Sequence, residues 1–143
     1  MKKVLISFVL LLSCIAVHAV AYTATSISCS VNNAPWSDWA KMSCLVILDD
    51  DNDQLRIYSD VDYYVATNTY SVNYSRTQVL TTMSYTEDSG INNQGVHYRK
   101  WCVTCLDKNS TKCYCTFVLY DDGDIMLLVS YSDISYKYML KQL

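Results

Sequence analysis

The sequence predicts an all-β fold, an antiparallel meander that forms a small barrel or sandwich and is stabilised by disulfide bonds. Thirteen tyrosines accompany valine, isoleucine and threonine, which suit a pleated, half-buried surface. Apolar and polar residues alternate along much of the chain, and a helical period of useful length is lacking after the first twenty residues. Six cysteines follow an apolar leader, which indicates an oxidising compartment.

The apolar leader covers residues 4–17 and follows Lys2 and Lys3. Such a run, with small residues behind it, is typical of a secretory signal peptide and is short for a membrane span. We therefore predict a signal peptide over residues 1–19. The alternative is a bacterial lipoprotein in which Cys14 carries the lipid; otherwise Cys14 is removed with the signal.

The remaining chain, residues 20–143, has the size of a single domain with one core. When the two leader lysines are removed from the eleven basic residues, nine remain against fourteen acidic ones, a net charge near −5. That sign argues against nucleic acid and against anionic membrane surfaces as partners. Residues 136–143 are too short and too polar for a membrane anchor, so we expect a soluble, secreted, extracellular domain.

The six cysteines of this domain are predicted to form three disulfide bonds, although six cysteines allow fifteen pairings and the sequence does not choose among them. Residues two apart in a strand point the same way, which suits bridges to neighbouring strands. The alternative for the last four cysteines is a structural zinc site of four thiolates, which secretion disfavours. We predict neither a metal nor a cofactor. The predicted disulfide residues are Cys29, Cys44, Cys102, Cys105, Cys113 and Cys115.

Motifs for catalysis are weak. His97 is the only histidine after the leader and Glu87 the only glutamate, and we find neither a nucleophile elbow nor a zinc-protease motif. The acidic run 49–53 has the spacing of a calcium loop, but Gln54 stands where such a loop needs glycine. We therefore predict a solvated turn at that run and a protein that is not an enzyme.

The segment 41–58 is predicted to be a β-hairpin with its loop at 51–52. This loop places Leu48 opposite Leu55 and gives the hairpin one clearly apolar side. Further strands are expected at 70–74, 79–85 and 96–104, and a polar loop at 87–95.

The segment 112–131 is the strongest hairpin signal. A type I′ turn at 122–123 would pair Val118 with Leu127 and leave Leu128 on the opposite face. Both faces are apolar, so we expect a core on one side and a packed segment or second subunit on the other. We therefore predict that Val118 and Leu128 belong to a ligand or partner surface, which a homo-oligomer could cover.

Two asparagines begin Asn-X-Ser/Thr sequons in segments where surface exposure is expected. Asn73 lies on the polar side of a predicted strand, and Asn109 lies in a predicted loop. We predict that both are glycosylated, because secretion exposes such sites to the modifying enzymes.

Two segments resemble the lipocalin family. Residues 33–40, with the sequence NAPWSDWA, resemble the family's opening segment, in which a tryptophan begins the first barrel strand and plugs one end. Residues 113–140 resemble the last three strands of the family. The resemblance implies a barrel in which Trp39 is the floor tryptophan and lines an interior cavity together with tyrosines.

We therefore expect a secreted, non-enzymatic binding protein that carries a small apolar ligand in a lipocalin-like barrel. The alternative is a disulfide-tied β-sandwich, a secreted effector or viral immune modulator that binds a host protein through an exposed aromatic surface.

Overall fold

The computed structural model describes residues 19–64, 66–67 and 69–143. Apart from Ala19, which begins the first strand, the predicted signal peptide lies outside the described residues, and so does Cys14. The signal peptide, its boundary and the lipoprotein alternative therefore stay predictions.

The described chain is built from β-strands joined by turns, and these described residues include no helix. The all-β prediction is therefore confirmed. In chain order the strands are β1 (Ala19–Val31), β2 (Ala40–Asp49), β3 (Gln54–Ile57), β4 (Asp60–Tyr64), β5 (Thr69–Asn73), β6 (Gln78–Ile91), β7 (His97–Leu106), β8 (Lys112–Tyr120), β9 (Ile125–Ser130) and β10 (Ile134–Gln142).

Eight of these strands close into one antiparallel barrel, in the order β1-β10-β9-β8-β7-β6-β3-β2, with β2 returning to β1. Neighbours in the barrel are neighbours in sequence except at two places. β4 and β5 form a separate hairpin between β3 and β6, and β1 pairs with β10 to close the ring. The antiparallel meander is confirmed, and it forms a barrel rather than a sandwich.

The alternation of apolar and polar residues explains why the ring encloses a core. On β2, Met42, Cys44 and Val46 are buried, whereas Ser43 and Leu45 between them are exposed. Because successive side chains of a strand point to opposite faces, one face of each strand supplies the interior. The largest fully buried side chains include Trp101, Tyr22, Tyr138 and Phe117.

The predicted strand pairing is correct in the first hairpin and wrong by one residue in the second. In β2 and β3, Leu48 lies opposite Leu55, as the sequence predicts. In β8 and β9, Val118 lies opposite Met126, one residue away from the predicted partner Leu127. A shift of one residue in the pairing places Val118 and Leu127 on opposite faces of the hairpin. Leu127 is fully buried with Phe117 on the inner face, so Val118 points outward.

The longer turn between β8 and β9 causes this shift. The Tyr120 amide donates to the Asp124 carbonyl at 3.0 Å, which leaves three loop residues instead of the predicted two. Gly123 has a φ of 96°, and a glycine in this conformation is typical of a three-residue hairpin loop. The predicted type I′ turn is therefore wrong.

The predicted loop over 87–95 is also wrong. β6 continues to Ile91, and the turn covers only 92–96. Polar composition is misleading here because this part of β6 is exposed on both faces. Glu87 forms an ion pair with Arg99 of β7 at 2.9 Å, and such cross-strand pairs stabilise a sheet.

A strand precedes the segment that resembles the lipocalin opening. Residues 33–40 form mainly the connection between β1 and β2, so the first barrel strand begins at Ala19 and not at Trp39. The pattern of β1 agrees with this position, because Tyr22 and Ile27 are fully buried on its inner face.

The β4–β5 hairpin covers one end of the barrel. Val61 of β4 is buried, and its carbonyl oxygen accepts a hydrogen bond from the Tyr136 hydroxyl at 3.4 Å. The Tyr70 hydroxyl of β5 donates to the carbonyl oxygen of Ile27 at 3.2 Å. We call this the hairpin end of the barrel; the β6–β7 turn marks the other end.

Candidate functional site

The barrel interior is filled by its own side chains. The rings of Tyr22 and Phe117 pack 5.4 Å apart, and Trp101 and Tyr138 are fully buried. A void of about 10 Å³ remains elsewhere in the core, between Phe117 and neighbours such as Leu48 and Leu127. One buried water needs roughly 10–15 Å³ and a ligand pocket about 300–1,000 Å³. This void is therefore too small for the apolar ligand that the resemblance implies.

The Arg99 guanidinium lies at the end of the barrel opposite the hairpin end. Arg99 Nη2 lies 2.9 Å from Glu87 Oε1, and the guanidinium carbon lies 5.3 Å from the centre of the Trp101 ring. The tryptophan that fills one end of the barrel is therefore Trp101.

Trp39 lies outside the barrel. It is 48% exposed, and Trp36 in the same connection is 39% exposed. The Lys137 ammonium lies 4.1 Å from the centre of the Trp36 ring and 5.4 Å from that of Trp39. Burial lowers the pKa of Lys137. The role of Trp39 as floor tryptophan is wrong, because its ring packs on the outside of β10.

A cavity of about 260 Å³ opens at the hairpin end. Leu80 and Ile134 contribute apolar wall, and Tyr131 and Tyr136 contribute rings and hydroxyl groups. The Tyr131 hydroxyl donates to Asp107 Oδ2 at 3.2 Å. Burial raises the pKa of Tyr131, so this hydroxyl remains a hydrogen-bond donor at neutral pH.

The outer face of β7, β8 and β9 carries an open groove of about 410 Å³. We call it the outer groove, and Tyr98, Lys100, Val118, Tyr120 and Met126 line it together with the β6–β7 turn. Val118 is 5% exposed at its floor, and the rings of Tyr98 and Tyr120 contact each other edge to face at 6.1 Å. The sequence predicted Val118 on this surface but missed both tyrosines.

Leu128 extends this apolar surface on the outside of β9. It is half-buried and lies opposite Lys137 of β10, whose ammonium contacts the Trp39 ring. Val118, Leu128 and Trp39, which were predicted as a ligand or partner surface, thus all lie on the outside of the barrel. Their role in binding stays a prediction.

The six predicted disulfide cysteines are all free thiols in the structure. Cys29 lies opposite Tyr136, and Cys44 lies opposite Ala24, so neither faces another cysteine across a strand pair. Cys102 is half-buried on the outside of β7. The three predicted disulfide bonds are not shown and stay a prediction.

Cys105, Cys113 and Cys115 form a thiol cluster inside the barrel. Cys105 lies directly opposite Cys113 across β7 and β8, and Cys115 is buried on the same face. Hydrogen bonds from Cys105 and Cys115 lower the pKa of Cys113. Cys102 points outward, where the Thr116 hydroxyl lies 3.7 Å from its sulfur. The four thiolates of the zinc alternative therefore do not converge.

Both sequons lie at the hairpin end. Asn109 is exposed in the β7–β8 turn. Asn73 is half-buried at the end of β5, and its Oδ1 accepts a hydrogen bond from the Ser75 hydroxyl at 2.6 Å. Glycosylation of either asparagine stays a prediction.

The acidic run 49–53 forms the end of β2 and the β2–β3 turn, so the turn is confirmed, but Asp50 is buried and the run is not solvated throughout. Burial acts to raise the pKa of Asp49, but hydrogen bonds from Asn52 and the charge of Arg56 lower it overall. His97 is exposed at the start of β7. In the part of the chain that the structure describes, no group of histidine, cysteine or acidic side chains is arranged to hold a metal ion.

These features define a closed eight-stranded antiparallel barrel with a filled interior and an apolar outer face. Comparisons of the chain with protein-family models, with curated proteins and with solved structures found no match. They neither support nor oppose the resemblance to lipocalins. Within residues 19–143, as far as they are described, no helix is long and apolar enough to cross a membrane.

Proposed function

We propose that this chain is a secreted, non-enzymatic binding protein that engages an extracellular protein through the outer groove, as a secreted effector or viral immune modulator would. One contrast carries the proposal. The void in the core measures about 10 Å³, whereas the groove on the outside measures about 410 Å³. Disulfide bonds and N-glycans belong to the same proposal, because the secretory pathway supplies both.

The chemistry of the outer groove suits a protein partner. Tyrosine and methionine are enriched at protein interfaces, since a tyrosine offers a large ring and a hydroxyl at a low cost in side-chain entropy. The Tyr98 ring is held in place because it lies over Gly90 of β6, where an added Cβ would come within 2.6 Å of the Tyr98 hydroxyl. A side chain that is already ordered loses less entropy on binding.

The charge of this outer face favours a partner with carboxylates. The chain is acidic overall, yet Lys100 and Lys137 both lie on this face. Lys100 Nζ forms a long ion pair with Asp88 Oδ2 at 4.0 Å. Lys137 forms no ion pair with any described residue and is held by tryptophan rings instead. Complementary carboxylates would speed association.

The position of the sequons is compatible with this use of the surface. Asn73 and Asn109 lie at the hairpin end, whereas the groove lies beside the β6–β7 turn at the other end. Glycans on both asparagines would therefore leave the groove accessible.

A pull-down from extracellular fluid tests the proposal with two groove variants, Tyr120→Ala in the outer groove itself and Leu128→Lys at its edge on β9. Tyr114→Ala is the matched control, because Tyr114 is an exposed tyrosine on the outside of the same strand but lies outside the groove. We expect both groove variants to lose at least tenfold in affinity, since aromatic anchors at interfaces are worth about 2 kcal/mol or more. Tyr114→Ala should bind as the wild type does.

Circular dichroism and size-exclusion chromatography with light scattering complete the test. The proposal requires that the groove variants keep the wild-type spectrum while binding is lost. If the wild type self-associates and Leu128→Lys is monomeric, the occupant of the face is a second copy of this chain, and the heterologous partner is rejected. Unchanged binding in both groove variants would also reject it.

A small apolar ligand, as in a lipocalin-like barrel, is the second candidate function. Its one support is the cavity of about 260 Å³ at the hairpin end, which is just below the size of an ordinary ligand pocket. Leu80, Ile134 and two tyrosines line the opening together with polar residues such as Asp60, Gln78 and Lys108. Native mass spectrometry with lipids, retinoids and haem-like molecules should then detect a complex, and Ile134→Trp should abolish it by filling the cavity. A complex that persists in Ile134→Trp would rule out this site.

A further inference from the structure

We propose that Cys105 and Cys113 form the one intrachain disulfide bond of this domain, while Cys115 beside them remains a thiol. The two residues are directly opposite each other across β7 and β8, with both side chains in the interior. Directly opposed residues of an antiparallel pair have Cα atoms about 4.5 or 5.5 Å apart. Both spacings lie within the range of roughly 4.4–6.8 Å that a disulfide bond needs.

The other two pairings in the thiol cluster are geometrically unfavourable. Cys113 and Cys115 are two residues apart on β8, so their side chains run parallel and their Cβ atoms are about 6.6 Å apart, whereas a disulfide needs roughly 3.5–4.5 Å. Cys105 and Cys115 are diagonal neighbours, because Cys115 lies opposite Val103. Diagonal neighbours are about 7–8 Å apart, beyond the usual range.

The three other described cysteines have no described cysteine within reach. Cys102 lies on the outside of β7 and is separated from the cluster by the sheet itself. Cys29 shares a row with Cys115, but Tyr136 of β10 and Val129 of β9 stand between them. Cys29 and Cys115 are therefore three strand spacings apart along the sheet, which is roughly 14 Å.

Cys44 is also distant from Cys29 on the neighbouring strand. Ala24, which lies opposite Cys44, precedes Cys29 by five residues along β1, which is roughly 16 Å. The structure therefore supports one bridge rather than the three that an even count of cysteines predicts.

The reaction needs a disulfide oxidant of the type RSSR, either a small molecule or a protein disulfide. The Cys113 thiolate attacks one sulfur, a mixed disulfide forms, and the first RS⁻ leaves. The Cys105 thiolate then attacks the Cys113 sulfur and releases the second RS⁻. The two thiol protons end on the leaving groups, so two RSH molecules form per bond.

This exchange must occur while the β7–β8 hairpin is forming, because Cys105 and Cys113 are fully buried in the closed barrel. The β7–β8 turn brings Cys105 and Cys113 close to each other. The Asp107 carboxylate accepts hydrogen bonds from the Asn109 and Thr111 amides at 2.9 Å each, which fixes the turn between the two cysteines. The bridge lies inside the barrel, so this inference is independent of the outer groove.

Peptide mapping tests the bridge in the full chain refolded in a buffer of reduced and oxidised glutathione. Free thiols are alkylated after denaturation without reduction, and trypsin then cuts after Lys108 and Lys112, which separates peptides 101–108 and 113–137. We expect these peptides to be linked and fragmentation to place the link between Cys105 and Cys113. The alkylated cysteines of the domain should be Cys29, Cys44, Cys102 and Cys115.

Single serine variants distinguish the pairings. Cys105→Ser and Cys113→Ser should each abolish the link, whereas Cys115→Ser and Cys102→Ser should retain it. Reduction should lower the melting temperature of the wild type on the order of 5–10 °C and leave Cys105→Ser unchanged. The proposal is overturned if Cys105 and Cys113 are both alkylated in the oxidised wild type, or if the link persists without either of them. A second intrachain bridge would overturn it as well.

Discussion

The two faces of β8 and β9 have similar composition but different surroundings. On the inner face, Phe117 lies opposite Leu127, and both are fully buried. On the outer face, Val118 lies opposite Met126, beside half-buried Leu128 at the edge of the outer groove. The same hairpin thus supplies core and surface, and apolar character alone does not tell which face is which.

The difference between the faces comes from what covers them. The inner face meets the side chains of the strands across the barrel, such as Tyr22, whose ring lies 5.4 Å from that of Phe117. Among the described residues, the outer face is covered only by neighbouring side chains and the β6–β7 turn. Complete burial of a large apolar side chain contributes about 1.5–3 kcal/mol, so substitutions on the two faces should differ clearly in cost.

The largest expected effect is that of Phe117→Ala. Removal of this ring leaves a cavity in a close-packed core, and such substitutions lower the free energy of unfolding by about 3–5 kcal/mol. Urea unfolding followed by circular dichroism measures the change. Leu128→Lys on the outer face is the control and should cost less than about 1 kcal/mol. If the two variants lose equal free energy of unfolding, both faces are core, and the proposal that the outer face binds a partner is refuted.

The second expected effect is a loss of stability at alkaline pH. Burial raises the pKa of both Tyr22 and Tyr138 on the inner face. The unfolded chain ionises these tyrosines near pH 10 while the folded barrel keeps them protonated, so their contribution is complete below pH 10 and decreases above it. Each tyrosine should cost about 1.4 kcal/mol per pH unit above 10.

Urea unfolding at pH 9, 10 and 11, together with tyrosinate absorbance, measures this dependence. Tyr131 and Tyr136 act in the same direction, because burial raises the pKa of both. In the folded protein the inner tyrosines should ionise only as the barrel unfolds. A free energy of unfolding that stays constant from pH 9 to pH 11 would show that the interior is open to water.

Register explains why the sequence predicted the inner and outer faces unequally. The all-β class and the pairing of Leu48 with Leu55 depend on alternation, which local sequence contains. The faces of Val118 and Leu127 depend on the length of one turn, and an Asp-Gly pair is compatible with both a two-residue and a three-residue loop. One residue of difference then placed Val118 and Leu127 on opposite faces, although the sequence predicts that they share one.

Contacts between residues that are distant in the sequence could not be predicted from the local pattern of apolar and polar residues. Trp101 fills one end of the barrel because β6, β7 and β8 bring Glu87, Arg99 and Phe117 around it, and sequence proximity does not reveal this. Trp39 lies in the segment that resembles the lipocalin opening, but its ring packs on the outside of the barrel. The outer tyrosines were missed for the same reason, since Tyr98 joins the groove only through pairing with strands that follow it.

The third prediction compares two buried tyrosines of the inner face. The Tyr22 hydroxyl is buried and has no hydrogen-bond partner among the described residues, whereas the Tyr138 hydroxyl accepts a hydrogen bond from Gln78 Nε2 at 3.3 Å. Tyr22→Phe should therefore raise the free energy of unfolding at pH 7 by about 1 kcal/mol, because it removes an unpaired buried polar group. Tyr138→Phe should lower it by a similar amount. A destabilised Tyr22→Phe or a stabilised Tyr138→Phe in the same urea assay would refute this account.

The smallest expected effect belongs to Lys137 on the outer face. Its ammonium lies between the Trp36 and Trp39 rings, and a cation over an aromatic ring contributes about 0.5–1 kcal/mol at exposed sites. Lys137→Gln should lower the free energy of unfolding by that amount and shift the tryptophan emission of the folded protein. Lys112→Gln is the matched control, because Lys112 lies 5.4 Å from the ring centre of the exposed Tyr114 and of no tryptophan. If both variants leave the emission unchanged, the lysine does not order the two tryptophans, and the outer face lacks the preformed aromatic edge that its proposed partner would use.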